Sequence, residues 1–195
     1  MKKLLRGFCV GLFLLFAWPF FLYKKYGNVN YKLEGGTVIV SNHYANLDAF
    51  FIYLIFRKRK IRFVTNTDTK KKLSTRFITW LFDCLYLDYE GVNLEFIKSC
   101  ISVLKEGGVI CIYPEGVVNP RKYGFFDFKG SFIFMARKSS AKILPLYIYP
   151  NGSIFKKSKV YIGEEILPEE YNKYKDIDAA AMMVQSRVME YSNKV

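Results

Sequence analysis

The stretch TVIVSNHYANLDAF, Thr37–Phe50, decides the fold. Thr37–Val40 is a short apolar, β-branched run behind Gly35-Gly36, which predicts a strand. Residues 47–56 (LDAFFIYLIF) are apolar nearly all round and predict a helix that is buried or faces a membrane. Strand, polar loop, helix is the unit from which α/β sheets are built, and the same alternation continues downstream. Strands are predicted at 61–64, 85–88, 109–113, 143–149 and 160–162. Helices are predicted from Ser74 to about 83, over 92–105 and 130–138, and from Asp176 or Asp178 to about 191. VICIY, Val109–Tyr113, is apolar throughout and suits a central strand covered on both faces. The expected fold class is α/β, a mostly parallel or mixed sheet flanked by helices.

The loop inside the opening stretch carries the chemistry. His43 is the only histidine of the 195 residues, and Asp48 follows five positions later. If the helix starts near Asn46 or Leu47, Asp48 sits in its first turn and can face back to His43. A carboxylate on one imidazole nitrogen fixes the tautomer and raises the basicity of the other. Spacing alone equally allows Asp48 to serve the helix N-terminus, with His43 a satisfied, part-buried polar residue. Open α/β sheets place ligands beyond the carboxyl ends of their strands. Tyr113-Pro114-Glu115-Gly116 directly follows VICIY, so this turn and the His43 loop are the candidate site.

The chain is long enough for one domain with a full core and too short for two comfortable ones. Residues 1–159 hold 26 basic and 10 acidic side chains, a net +16; residues 160–195 hold 4 and 7, a net −3, giving the overall +13. A basic body seeks an anionic partner, either nucleic acid or an acidic membrane surface. The N-terminus points to the membrane. Gly7–Tyr23 is uncharged over 17 residues, flanked by Lys2, Lys3 and Arg6 before and Lys24 and Lys25 after, with no small-x-small cleavage site. A helix of that length reaches about 25 Å, marginal for a span and ample for shallow insertion; Pro19 can bend it, and Trp18, Tyr23 and Tyr26 suit headgroup depth. Residues 1–27 are therefore expected to form a membrane-anchoring helix, spanning or monotopic, and 28–195 the globular domain. RKRKIR (Arg57–Arg62) and KKK (Lys70–Lys72) then read as anionic-headgroup contacts or as a solvated face. No helix-turn-helix, zinc-finger, RRM or KH pattern accompanies them, so nucleic acid is not an expected partner. Cys9, Cys84, Cys100 and Cys111 show neither metal nor disulfide spacing; buried reduced thiols are expected and no metal site. A serine hydrolase lacks G-x-S-x-G, and a cysteine hydrolase lacks a local signature around Cys84 or Cys111.

SNHYANLD, Ser41–Asp48, resembles the N-H-x-x-x-x-D motif of the glycerolipid acyltransferases, the lysophosphatidic acid acyltransferase family. Tyr113-Pro114-Glu115-Gly116 resembles that family's F-P-E-G block, Phe128-Lys129 its F-K pair, and Ile143–Ile148 its apolar block with a central proline. Each is weak alone; four in order, over Thr37 to Tyr149, form a strong resemblance. It implies a glycerolphosphate acyltransferase-like fold and transfer of a fatty acyl group from acyl-CoA or acyl carrier protein to a lysophospholipid hydroxyl, with 1-acylglycerol-3-phosphate as first candidate, in phospholipid biosynthesis. It implies His43 as general base, Asp48 as its orienting carboxylate, and substrate contacts from Asn42, Pro114, Glu115 and Gly116. It implies no bound cofactor, the thioester being a co-substrate, and residence on a membrane, at the cytoplasmic face where thioester donors are found. Two departures stand out. Leu87-Asp88-Tyr89 replaces the family's I-D-R pattern, and P-E-G-V-V-N replaces P-E-G-T-R-S. Both lost arginines are expected phosphate ligands, and neither tyrosine nor valine replaces a bidentate cation. Arg121, Lys122 or Lys129 can compensate; another lysophospholipid or lipid alcohol as acceptor, or a non-catalytic lipid-binding relative, stays open.

Overall fold

The computed structural model describes residues 2–17, 22–45, 48–71, 73–88, 93–119, 124–149 and 157–195. Seven strands form one sheet: β1 (Tyr23–Gly27), β2 (Thr37–Ser41), β3 (Ile61–Asn66), β4 (Leu85–Leu87), β5 (Val109–Ile112), β6 (Lys142–Tyr149) and β7 (Ser158–Ile162). Their order is β1-β7-β6-β2-β5-β3-β4. Every neighbouring pair is parallel except β6 with β7, which makes the sheet mixed and mostly parallel, as expected.

Alternation along the strands sends neighbouring side chains to opposite faces. Val38 and Val40 of β2 enter one core with Ile110 and Ile112 of β5, while Ile39 enters the other with Val109 and Cys111. The first core is closed by helices α4 (Leu94–Lys105), α5 (Ser131–Ser139) and α7 (Ile177–Ser192); the second includes α2 (Asp48–Ile55) and the C-terminal end of α3 (Leu73–Leu81). Each fully buried leucine or isoleucine adds about 1.5–3 kcal/mol, and burial on both faces explains why these strands read as continuous apolar runs. Pro145 of β6 is tolerated because the β6–β7 pairing begins one residue later, at Leu146 with Ile162. A short α6 (Pro168–Tyr171), unmarked in the sequence reading, packs Tyr171 into the first core, its hydroxyl donating to the carbonyls of Ala136 and Ala141. Asp176 caps α7, its carboxylate accepting the Ala179 N–H at 3.1 Å.

The N-terminus departs in part from the helix expected over residues 1–27. Helix α1 covers Lys2–Ala17 and measures about 24 Å at 1.5 Å per residue. Among the described residues no helix is long and apolar enough to cross a membrane. Tyr23–Gly27, expected within the anchor, is edge strand β1, paired with β7 from Tyr23–Ser158 to Gly27–Ile162. The sheet thus begins five residues before the boundary expected at 28. α1 also packs on the domain. Arg6 bonds Asp83 at 2.8 Å and lies over the Trp80 ring at 5.4 Å, while Leu5, Phe8, Leu12 and Leu15 face outward. Ser74, expected to cap α3, is inside it, since the helix already starts at Leu73. Trp18, Pro19, Asn46, Leu47, Lys72, Tyr89, Arg121 and Lys122 lie outside the described residues.

Candidate active site

His43 leaves the carboxyl end of β2, and Tyr113 leaves that of the adjacent β5. Asp48 opens α2, is fully buried, and turns its carboxylate back over the loop. One carboxylate oxygen, Oδ2, meets three groups: His43 Nδ1 at 3.2 Å, the Tyr44 N–H at 2.6 Å and the Ala45 N–H at 2.8 Å. The same residue therefore shapes the loop and orients the ring. Because a carboxylate only accepts, the arrangement assigns the proton to Nδ1 and leaves the Nε2 lone pair free. The His43 side chain keeps 19% of its surface exposed, and it lines a cleft of about 490 Å³. Ala49 and Phe50 of α2, Phe63–Thr65 of β3, Ile78 and Thr79 of α3, Phe82, Cys84 and Tyr113 share the lining, with Asp68 and Thr69 from a 3-10 turn at Thr67–Lys70. An imidazole with a lone pair on the wall of a mostly apolar cleft is able to take a proton from the alcohol of an amphiphile lying in it. Phe50 belongs to these walls; Trp80 instead stands outside the lining, beside Arg6 and Phe77.

The second loop is tied to the first through Glu115, which is 3% exposed. Its carboxylate accepts the His43 N–H at 3.1 Å, the Asn119 amide at 2.7 Å and the Phe126 N–H at 3.1 Å. Asn119 returns its backbone N–H to the His43 carbonyl at 2.6 Å. The resemblance implies Glu115 at the substrate, accepting a hydroxyl proton or holding a basic residue in place; in the structure it is buried and bridges the two loops. Asn42 is likewise buried. Its amide donates to the Ile148 carbonyl at 2.9 Å and its oxygen accepts the Ile148 N–H at 2.7 Å, extending the β2–β6 ladder by one residue through a side chain. Pro114 is buried, with its carbonyl accepting the Lys129 N–H at 3.0 Å.

Gly116 has φ +77, in the left-handed region that favours glycine. A Cβ there would stand 2.9 Å from Lys129 Nζ, so the lysine ammonium lies directly over the turn. Val117 and Val118 are exposed beside it. Two contributors were missed by sequence reasoning: Asn119, and the Tyr113 ring, which stacks on His43 with centroids 4.1 Å apart and planes 14° from parallel. Asn119 ends the P-E-G-V-V-N segment; an asparagine close to a buried glutamate is the signal that was there to find.

All four cysteines are free; Cys100 and Cys111 are buried, whereas Cys9 and Cys84 are only half-buried. Burial, aided by the charge of Asp83, pushes the Cys84 thiol up to about 12, and burial raises Cys111 further. Neither supplies a thiolate at neutral pH. Among the described residues no three His, Cys, Asp or Glu side chains gather as metal ligands.

The family profile described as Acyltransferase matches residues 23–149. The chain belongs to the acyltransferase family. The match starts at β1 and ends with β6, and so spans both loops of the site. Among solved structures, the 1-acyl-sn-glycerophosphate (LPA) acyltransferase PlsC from Thermotoga maritima is similar in fold, with a TM-score of 0.70 and 20% identity over 92% of this chain and 74% of that one. No curated protein matches this acyltransferase in sequence.

Proposed function

We propose that this acyltransferase works at a membrane surface, moving a fatty acyl group from acyl-CoA or acyl carrier protein to the hydroxyl of a lysophospholipid, 1-acylglycerol-3-phosphate first among them, in phospholipid biosynthesis. The observation that carries the reading is the His43 Nδ1–Asp48 Oδ2 pair at the wall of the apolar cleft. His43 Nε2 takes the hydroxyl proton while the alcohol oxygen forms its bond to the thioester carbonyl carbon. The carbon–sulfur bond then breaks, and the leaving thiolate recovers the proton from the imidazolium. Asp48 holds the ring and faces the charge that appears on it. General-base assistance of this kind contributes about 10²–10⁴-fold.

Lys129, whose ammonium lies over the Gly116 turn, supports the reading of an anionic headgroup despite valine at 118. Glu115 serves by holding the His43 loop rather than by touching an anion that it would repel. The exposed residues Leu5, Phe8, Leu12 and Leu15 of α1, and Leu73 and Phe77 of the adjoining α3, support shallow docking by an apolar face. Arg57–Lys60 near α1 suit anionic headgroups, which add about 1 kcal/mol per cation, and cytosolic donors favour the cytoplasmic face.

The test is purified protein offered a panel of lysophospholipids with acyl-CoA and acyl carrier protein donors, with products read by mass, beside His43→Ala. Acyl transfer by the wild type and its loss in the variant, with vesicle binding kept, is expected. Turnover above a few per cent in His43→Ala would remove the base, and no transfer to any acceptor would favour a lipid-binding role.

A further inference from the structure

The Asp48 bond alone does not fix the reacting nitrogen. One in-plane hydrogen bond at Nδ1 leaves the ring free to tilt about the N···O axis, which swings Nε2 out of line with the acceptor. The Tyr113 ring blocks that tilt, lying 4.1 Å from the imidazole and 14° from parallel to it. Tyr113 is itself held. It directly follows β5, and Pro114, with its fixed φ, comes next. Its hydroxyl is buried with the Cys111 thiol as its neighbour. Burial, with Cys111 and Asp48 close by, keeps that hydroxyl neutral well past its ordinary range. What His43 meets is therefore the face of an uncharged aromatic ring. Such a face carries negative quadrupole and attracts a cation placed over it.

We propose that Tyr113 is a positioning residue for the base: its ring fixes the plane of the His43 imidazole and stabilises the imidazolium formed when the acceptor's proton is taken. The inference rests on the reading of His43 as general base. The other ionisable groups facing His43 are Asp48 from α2, Glu115 at its backbone N–H, Asp68 and Cys84 along the cleft, and Cys111 behind the Tyr113 hydroxyl. A change at Tyr113 alone leaves the identity and charge of all of them unaltered.

Because the chain has one histidine, the imidazole ring protons seen by NMR belong to His43, and their titration needs no substrate. Tyr113→Phe keeps the ring face and is expected to leave both the titration and the pH–rate profile as in the wild type. Tyr113→Leu removes it. Its imidazolium loses the ring's attraction, so the histidine should titrate about half a unit to one unit lower. Its ring protons should lose their aromatic shielding. The neutral imidazole is the active base, so the acid limb of kcat/KM should move to lower pH by the same interval, with a plateau about tenfold lower. A merely structural tyrosine would lower the plateau without moving the limb. An unmoved titration in Tyr113→Leu overturns the proposal, as does a Tyr113→Phe variant as impaired as Tyr113→Leu. Should Tyr113→Leu not fold, Tyr113→Met, flexible enough to fill the gap, is read by the same two outcomes. If the titration moves but His43→Ala keeps its turnover, the base assignment fails and the catalytic meaning of the stack goes with it.

Discussion

The backbone N–H of His43 donates to the Glu115 carboxylate at 3.1 Å, across 72 positions of sequence. Two further donors, the Asn119 amide and the Phe126 N–H, share that carboxylate. Glu115→Gln preserves the volume but turns one oxygen into an NH₂ that faces N–H groups. A buried donor left without its acceptor costs about 1–3 kcal/mol, or roughly 2–4 °C of Tm per kcal/mol in a chain of this size. Thermal melting should show that loss. Because the His43 loop would also loosen, kcat should drop about tenfold or more with KM for the acceptor little changed, which separates a holder of loops from a substrate ligand.

Asp48→Asn should leave the fold largely intact, since an amide oxygen can still accept the Tyr44 and Ala45 N–H groups. It removes the charge opposite the imidazolium and no longer demands a proton on Nδ1. Turnover should fall by about 10²–10⁴-fold, measured as kcat at saturating acceptor. A variant retaining a third of wild-type kcat would take Asp48 out of the mechanism.

How much of this was legible in the sequence follows from range. His43 and Asp48 were readable as a pair because a strand–loop–helix junction brings residues five apart together within one local unit. The central strands were readable because burial on both faces leaves unbroken apolar runs such as VICI. β1 was not: YKKYG is short and half charged, as suits an edge strand, and its partner β7 lies over a hundred residues downstream. The place of Asn42 and Glu115 was hidden for the same reason. Their motifs mark them as special, yet their tertiary partners, Ile148 for Asn42 and Asn119 for Glu115, lie on elements that no local pattern brings together. The Tyr113–His43 stack likewise needs β2 and β5 to be neighbours.

Lys129 offers its ammonium above Gly116. Lys129→Met keeps the aliphatic stem and removes the charge. For a phosphate-bearing acceptor KM should rise about tenfold or more, the range of a charge-assisted contact, while kcat with a saturating neutral lipid alcohol should stay as in the wild type. Equal losses on charged and neutral acceptors would show that Lys129 does not read the headgroup.

The outward face of α1 predicts how the protein meets lipid. Phe8 and Leu15 are about 70% exposed on the side that carries Leu5 and Leu12. Replacing Phe8, Leu12 and Leu15 by serine removes apolar contact with a bilayer without touching Arg6, which anchors the helix to Asp83. Flotation with anionic vesicles should fall about tenfold or more, and turnover on water-soluble short-chain acceptors should not change. Vesicle binding that survives the triple substitution would move docking elsewhere on the basic surface.

Asp83 gathers three cations: Arg6 at 2.8 Å, Arg62 at 3.3 Å and Lys60. Burial opposes its ionisation, but Lys60 and Arg6 outweigh that and hold the carboxyl below the ordinary carboxylate range. A depressed native value means that the stabilisation is present in full above the unfolded carboxylate value, near 3.9, and is lost as pH falls through the native one. The side chain is about a quarter exposed, which screens the pairs and keeps the contribution near 1 kcal/mol. Asp83 also has φ +53, a conformation that asparagine tolerates well. Asp83→Asn therefore removes the charge without straining the turn. Its Tm should lie roughly 2–4 °C below the wild type at pH 7, with the gap closing in acid once the wild-type carboxylate is protonated. A gap of the same size on both sides of that titration would mean that the carboxylate charge contributes nothing and that the loss comes from packing.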